Sequence, residues 1–157
     1  MASTKPKKNI EIVNRKASFS YFFEETYEAG VILLGTEIKS LRAGNANLTD
    51  AYCYFEKGEL YIKNMYIKEY EFGNIFNHEA RRDRKLLLKH RELKKMEKKV
   101  KERGYTIIPY RLYFGTRGFV KLEIALASGK KTADKRDSIR EKDSKREMDR
   151  TLKSIKF

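Results

Sequence analysis

The sequence predicts a mainly β protein with helices, built as a small antiparallel barrel and followed by a charged C-terminal tail. The first observation is a series of short stretches rich in Tyr, Phe, Val and Ile, separated by glycine-containing turns. The second is a single helical segment between the early and the late strands. The third is a change in composition at residue 128, beyond which the chain is densely charged. We therefore divide the chain into a barrel over residues 1–127, with 1–9 as a disordered lead, and a tail over residues 128–157.

The first strand and the first helix are predicted next to each other. Residues 19–34 indicate one long strand or a bent pair, because aromatic and β-branched residues dominate this stretch. Thr36 is a suitable N-cap and Glu37 lies in the first turn, so a short helix is expected over residues 36–42. Gly44 follows at a position typical of a helix C-terminus.

Two more strands are predicted over residues 50–56 and 59–68, joined by a tight turn at residues 57–58. Residues 70–77 show no clear period and are expected to form a loop.

The clearest helix is predicted over residues 83–103, with Gly104 at its C-terminal end. Its apolar stripe consists of Leu86, Leu93, Met96 and Val100.

The last two strands of the barrel are predicted over residues 105–114 and 118–127, around a hairpin turn at residues 115–118. Pro109 inside the first of them indicates an edge position or a bulge. Short antiparallel strands with one inserted helix fit a closed or partly open barrel of the OB-fold type, which often binds oligonucleotides. A β-sandwich is the alternative.

The tail carries eleven Lys and Arg against six Asp and Glu. Only Met148, Leu152 and Ile155 share a helical face, and Ile139 lies off it. Such a segment cannot bury enough apolar surface to offset its ordering entropy, so we expect it to be disordered until it binds a partner.

The formal net charge of +14 and the pI of about 9.8 indicate a polyanionic partner, either nucleic acid or an anionic membrane surface. The N-terminal residues lack the apolar stretch of a signal peptide, and no apolar run approaches the roughly 20 residues that span a bilayer. The lone Cys53 is expected to be a small strand residue in a reducing cytoplasm. We predict a cytoplasmic protein without membrane association.

Signals for catalysis are weak, and no catalytic residue, metal site or cofactor is predicted. His78 and Glu79 begin like a zinc-protease helix, but Arg82 stands where the second histidine would be required. His90 is interpreted as a solvated residue of the basic helix. A hydrolase centred on His78 and Glu79 therefore remains only a remote alternative.

The stretch that contains the predicted helix is strongly basic, with twelve Lys and Arg against five Asp and Glu over residues 78–104. Cations along a rigid rod can follow a phosphate backbone, which favours an RNA or DNA face. The cations proposed for this face are Arg82, Arg84, Lys85, Lys89, Arg91, Lys94 and Lys98. An ordinary solvated helix face is the alternative.

Three strings add a family resemblance to this pattern. They are YEAG at residues 27–30 with GTEIKSLRAGNANL at 35–48, RDRKLLL at 82–88, and GKK at 129–131 with DKR at 134–136. In order and spacing they closely resemble the small protein B family, the bacterial partners of transfer-messenger RNA. The resemblance runs from about residue 14 to residue 152.

The resemblance implies an RNA-binding adaptor of trans-translation. The barrel would bind the tRNA-like domain of transfer-messenger RNA, and the complex would enter ribosomes stalled on messages that lack a stop codon. The tail would become helical in the empty message channel, beside small-subunit ribosomal RNA. Elongation factor Tu would share the same RNA, and the protein would act as a monomer. A general OB-fold nucleic-acid or ribosome-assembly protein, with its tail as an electrostatic anchor, is the alternative.

The resemblance also implies site residues. Those expected at the RNA interface are Asn14, Glu28, Glu37, Lys39, Arg42, Asn45, Arg82, Arg84, Lys85, Leu87 and Lys89. Those expected in the tail at the decoding centre are Gly129, Lys130, Lys131, Asp134, Lys135, Arg136, Met148 and Leu152. Gly129 would be the hinge between barrel and tail, Arg84 and Lys85 would contact phosphates, and Asp134 would orient the tail cations.

Overall fold

The computed structural model describes residues 10–155 except residues 74 and 76, so the expected disorder of residues 1–9 lies outside the described part. The strands are β1 (Glu11–Val13), β2 (Tyr21–Val31), β3 (Ala46–Asn47), β4 (Tyr52–Glu56), β5 (Glu59–Lys63), β6 (Tyr66–Ile67), β7 (Arg84–Leu87), β8 (Thr106–Phe114) and β9 (Val120–Gly129). The helices are α1 (Arg15–Ser20), α2 (Gly35–Arg42), α3 (His90–Arg103) and α4 (Thr132–Ile155).

Seven strands form one antiparallel sheet in the order β1-β8-β4-β5-β7-β2-β9, and an additional pairing of β8 with β9 closes it into a ring. Strands β3 and β6 form a separate two-stranded ladder. The predicted antiparallel barrel is therefore confirmed.

The interior of the ring is an apolar core formed by alternate residues of its strands. Leu60 and Ile62 of β5, Leu86 of β7 and Leu122 of β9 are all at most 2% exposed. Each such side chain contributes about 1.5–3 kcal/mol by leaving water. Helix α3 adds Met96, which is fully buried. The opposite side chains of the same strands point outward, and it is this outer face that carries the candidate site.

Most predicted strands are present, with altered ends. Strand β2 has the bend allowed by the prediction, as a register shift between Phe23 and Glu25. The predicted strand 59–68 ends at Lys63, because Asn64 takes a positive φ of 62° and the chain turns into β6. Pro109 marks a second register shift, between β8 and β9, as expected.

The predicted helix over residues 83–103 is wrong in its first third. Residues Arg84–Leu87 form β7, which pairs with β5 and β2, and α3 begins only at His90. Burial along β7 has the period of a strand, since Arg84 and Leu86 are buried while Leu87 is exposed. The end of the helix is as predicted, because Gly104 takes a left-handed φ of 67°.

The two ends of the described chain also differ from expectation. Strand β1 and helix α1 were not predicted. Strand β9 continues to Gly129, so the barrel ends two residues later than the predicted boundary at residue 127. The tail is the helix α4, and none of its described side chains is buried. Its disorder before binding stays a prediction.

No helix among the described residues is long and apolar enough to cross a membrane.

Candidate nucleic-acid interface

One row of outward-facing residues crosses five strands of the sheet. Gly30 of β2 lies opposite Leu87 of β7 on one side and Lys121 of β9 on the other. Lys121 lies opposite Tyr113 of β8, which in turn lies opposite Glu11 of β1. Directly paired residues of an antiparallel sheet share a face, so these side chains belong to one surface. The hairpin register and the β2 pairing create this surface, and neither can be read from local sequence alone.

Glu28 stands next to this row, two residues before Gly30 on the same strand. Its side chain is 56% exposed and lies 3.7 Å from the Lys121 ammonium group. The hydroxyl of Tyr113 donates a hydrogen bond to the Glu28 carboxylate. That hydrogen bond, together with burial, raises the pKa of Tyr113 to about 12. The carboxylate is thus held in place at the surface while it keeps capacity to accept further hydrogen bonds.

A shallow depression of about 480 Å³ opens over Gly30, where the row lacks a side chain. It is lined by Glu28, Gly30, Leu87, Leu88, Lys89, Glu92 and Lys121. Leu87 is 51% exposed, although it is a large apolar side chain in the middle of the surface. The depression therefore combines an apolar wall, two cations and a positioned carboxylate, a combination that can hold a nucleotide.

Glu37 and Arg84 form an internal ion pair behind this surface. Arg84 Nε donates to Glu37 Oε1 at 2.8 Å, and both side chains are fully buried. Arg84 also donates to the carbonyls of Met65, Arg82 and Ala80, at 2.7, 3.0 and 3.2 Å.

The second oxygen of the same carboxylate is also occupied. Glu37 Oε2 accepts from Arg82 Nη2 at 2.9 Å and from the Leu34 backbone N–H at 2.8 Å. Burial alone would raise the pKa of Glu37, but the hydrogen bonds from Arg82, Leu34 and Arg84 outweigh it and lower that pKa. The network ties α2 to β7. Because Arg84 is fully buried and its donors are used inside the protein, the predicted phosphate contact of Arg84 is wrong for the structure described. Glu37 has a structural role in this network.

Asn14 is also buried, with only 4% exposure. Its Oδ1 accepts from the Ala17 backbone N–H at 3.2 Å, which caps α1. Its Nδ2 donates to the carbonyls of Leu48 and Pro109 at 3.2 and 3.0 Å. Every polar atom of the amide is therefore used inside the protein, and Asn14 positions α1 on the barrel.

The chain matches a known protein family over most of its length. The model of the family described as SmpB protein matches residues 11–154. The chain belongs to this family.

Individual relatives are similar to this chain over nearly its whole length. The SsrA-binding protein of Phocaeicola vulgatus is 56% identical over 144 residues, covering 92% of this chain and 96% of that protein. The SsrA-binding protein of Parabacteroides distasonis is 55% identical over 145 residues, covering 92% and 95%. A chain of the solved structure "tmRNA-SmpB: a journey to the center of the bacterial ribosome" is 45% identical, with a TM-score of 0.67, and covers 83% of this chain and 94% of that one.

In this SmpB-family chain the predicted interface residues fall into separate groups. Glu28, Leu87 and Lys89 meet at the depression over Gly30. A second group lies at and after the end of α2 and is exposed: Lys39, Arg42 and Asn45. Lys39 Nζ stands 5.2 Å from the centroid of the Tyr70 ring.

The cations of the string at residues 82–88 differ in their contacts with carboxylates and in their exposure. Lys85 donates to Glu59 at 2.7 Å on the outside of the ring. The side chain of Arg82 keeps 32% exposure beyond its contact with Glu37. Tyr113 and Lys121 were not predicted as site residues from the sequence, because only the barrel register brings them beside Glu28.

The base of the tail is fastened to the barrel by Lys130. Its backbone N–H donates to the Ser20 carbonyl at 2.9 Å, which continues the β9 ladder past Gly129. Its ammonium group donates to the Ser18 carbonyl and to Ser138 Oγ, at 3.2 and 3.1 Å, and lies 4.9 Å from the centroid of the Phe22 ring. Gly129, the predicted hinge, is thus held in the sheet: it pairs with Tyr21, and the next residue is hydrogen-bonded to Ser20.

Most of the other predicted groups of the tail are exposed. The Lys131 N–H donates to Asp134 Oδ2 at 3.2 Å, so Asp134 in the first turn satisfies the backbone N–H of the N-cap residue of α4. Lys131 and Arg136 are exposed, and Lys135 is half-buried. Met148 and Leu152 are 65% and 62% exposed on the face shared with Ile155, and Ile139 lies on the other side of the helix.

His78 is a structural residue. It is 3% exposed, its Nδ1 lies 2.9 Å from Thr36 Oγ1, and its Nε2 lies 3.0 Å from the Ile67 carbonyl oxygen. Both ring nitrogens are occupied inside the protein, which leaves neither free for a metal or a substrate. Cys53 is buried, and burial raises the pKa of its thiol.

Proposed function

We propose that this protein is the RNA-binding adaptor of trans-translation, a non-catalytic factor that acts in the cytoplasm where ribosomes translate. It binds the tRNA-like domain of transfer-messenger RNA and delivers it to stalled ribosomes, which leads to tagging of the peptide and release of the ribosome. The observation that carries this proposal is the near-full-length likeness to SsrA-binding proteins over both the barrel and the tail.

The barrel supplies the RNA-binding surface. Folded RNA is recognised mainly through its shape, its backbone and its unpaired bases, and the outer face offers a group for each kind of contact. Leu87 provides an apolar wall, Lys89 provides charge for phosphate, and Glu28 accepts hydrogen bonds from a base edge. The exposed cations Lys39 and Arg42 extend the positive surface along α2.

The tail supplies the contact with the ribosome. An exposed helix with dense positive charge and one apolar stripe fits an RNA-walled channel, where cations meet phosphates and the stripe packs on one wall. In this role the tail replaces the pairing between codon and anticodon in the empty message channel. The protein acts as a monomer on an RNA that also carries elongation factor Tu.

Binding to the tRNA-like fragment of transfer-messenger RNA, beside an unrelated hairpin of equal length, tests the proposal. Both affinities are measured as the salt concentration is raised, since purely electrostatic binding falls steeply with salt. We expect a large preference for the tRNA-like fragment that persists at high salt. Equal affinities that fall in parallel would instead identify a general OB-fold nucleic-acid binder.

A further inference from the structure

The ammonium group of Lys130 is engaged on three sides inside the protein. It donates to the Ser18 carbonyl at 3.2 Å and to Ser138 Oγ at 3.1 Å, and it lies 4.9 Å from the centroid of the Phe22 ring. An ammonium group has three N–H donors and no acceptor, so two hydrogen bonds and an aromatic face use its bonding capacity. A cation held in this way has little left to offer a phosphate, in contrast to the RNA contact that the family resemblance implies for it.

The three partners of Lys130 belong to three different elements. Ser18 lies in α1, Phe22 in β2 and Ser138 in α4. The Ser18 carbonyl belongs to the last turn of α1, where backbone carbonyls lack a partner within the helix. The backbone N–H of Lys130 likewise donates to the Ser20 carbonyl at 2.9 Å. One residue therefore closes the end of α1 and joins it to the tail helix.

The contact with Ser138 involves two turns of α4 rather than one side chain. Ser138 Oγ donates to the Asp134 carbonyl at 3.0 Å while it accepts from Lys130. One turn later, Lys142 Nζ lies 5.8 Å from the centroid of the Phe19 ring, which again belongs to α1. Residues 134, 138 and 142 follow one another at intervals of four, so they share the face of α4 that lies against α1.

Among the described residues, burial along α4 is confined to the first two turns. Asp134, Lys135 and Ser138 are half-buried, whereas every described residue from Ile139 to Ile155 is exposed. The first turns of the tail therefore have packing that offsets part of their ordering entropy, and the later turns depend on a partner for it.

We propose that Lys130 is a positioning residue of the tail. With Phe22 and Ser138 it forms a clasp that holds the start of α4 against α1 and fixes the direction in which the tail leaves the barrel. The segment up to residue 142 is then ordered in the free protein, and the disorder expected before binding is confined to the segment after it. A preordered base lowers the entropy that contact with the ribosome must offset. This consequence rests on the proposed function, whereas the clasp itself does not.

Backbone hydrogen exchange in the free protein tests the clasp. Amides of residues 136–142 should exchange more slowly than those of residues 145–155, because only the former are held. Lys130→Met removes both side-chain hydrogen bonds and keeps the length of the side chain, so protection of residues 136–142 should fall about tenfold. Lys131→Met is the matched control, because it removes the same charge one residue away and keeps the backbone contact with Asp134. Equal exchange along the whole wild-type helix, or equal effects of the two variants, would overturn the clasp.

Reconstituted tagging tests the positioning role. Each protein is bound to transfer-messenger RNA and supplied to ribosomes stalled on a message without a stop codon. K130M should slow tagging by a factor similar to its loss of protection, while the affinity of the barrel for the tRNA-like fragment should not move. Lys130→Arg keeps N–H donors at this position and should restore most of both the protection and the tagging rate. Normal tagging by K130M despite lost protection would refute the positioning role.

Salt dependence separates positioning from direct phosphate contact. K131M should reduce the dependence of ribosome binding on salt by about one phosphate contact, and K130M should leave that dependence unchanged. A reduction of one contact in K130M would show that Lys130 binds RNA and would overturn its assignment to the clasp. A wild-type protein that supports no tagging would refute the proposed function, and the exchange experiment would still decide whether the clasp exists.

Discussion

Glu37 and Arg84 join α2 to β7 through an ion pair 2.8 Å long in which neither side chain reaches solvent. Two of the strings that carry the family resemblance, residues 35–48 and residues 82–88, are therefore physically connected. Arg84 lies three residues before Leu87, so the pair holds the strand that carries the exposed leucine of the candidate interface. These two charges therefore support the candidate interface from inside the barrel.

Breaking this pair should destabilise the fold severely. Glu37→Gln leaves the buried Arg84 without a counterion, at a cost of about 3–5 kcal/mol. Arg84→Met should cost less, because Glu37 keeps its ion pair with Arg82. Urea unfolding measures the change. Lys16→Ala is the control, because it removes an ion pair with Asp50 whose side chains are 61% and 70% exposed, and solvent screening leaves such pairs little effect on stability. Similar losses in the buried and exposed variants would contradict the role of the network.

Glu25 should make stability dependent on acid pH. The hydrogen bond from Lys99, 2.5 Å long, and the one from Tyr27 lower the pKa of Glu25 to about 2. A lowered pKa means that this stabilisation is complete above the unfolded pKa of about 4.3 and is lost as pH falls toward 2. The melting temperature of Glu25→Gln should therefore lie below that of the wild type at pH 6, and the gap should shrink towards pH 2. A gap that stays constant over this range would show that the carboxylate charge contributes nothing.

Asn14 should matter through α1 rather than through direct contact with RNA. Asn14→Ala removes the helix cap and leaves two carbonyls without their donor, which should lower the free energy of unfolding by about 1–3 kcal/mol. Asn14→Asp keeps the capping oxygen but cannot donate, so it should not restore stability. Chemical unfolding gives both values. Full stability of either variant, together with weakened RNA binding, would favour a direct contact instead.

Removing α4 should separate the two activities of the chain. A protein ending at Lys131 keeps the β9 ladder and the Lys130 backbone contact with Ser20. It should bind the tRNA-like fragment nearly as well as the full chain but fail to support tagging of stalled peptides in a reconstituted translation reaction. Loss of RNA affinity equal to the loss of tagging would contradict this division of roles.

The apolar stripe of the tail should be needed on the ribosome alone. Met148→Gln combined with Leu152→Gln changes two side chains that are more than 60% exposed, so the melting temperature and RNA affinity should not move. Tagging should fall because the stripe loses its packing surface. Ile139→Gln on the other side of α4 is the matched control and should remain active. Equal loss in both variants would show that overall helix hydrophobicity matters rather than one face.

Local sequence was sufficient where neighbouring residues determine the conformation. The turn at Lys57-Gly58, the helix end at Gly104 and the break at Pro109 lie where the residue types require them. It was insufficient at residues 84–87, because a run of leucines fits a helical stripe and a buried strand equally well. Pairing with β5 and β2 resolved that ambiguity.

The sequence by itself determined the charge, the antiparallel strands, the separation of barrel from tail and, through its three strings, the family resemblance. These depend on composition, on short-range periods and on contiguous motifs. Tertiary structure alone decided that Arg84 and Glu37 are buried together and that Gly30, Leu87, Tyr113 and Lys121 share one row beside Glu28. Ring closure brings residues from distant parts of the chain into register, and whether a charged residue is buried or exposed depends on neighbours that are not adjacent in sequence.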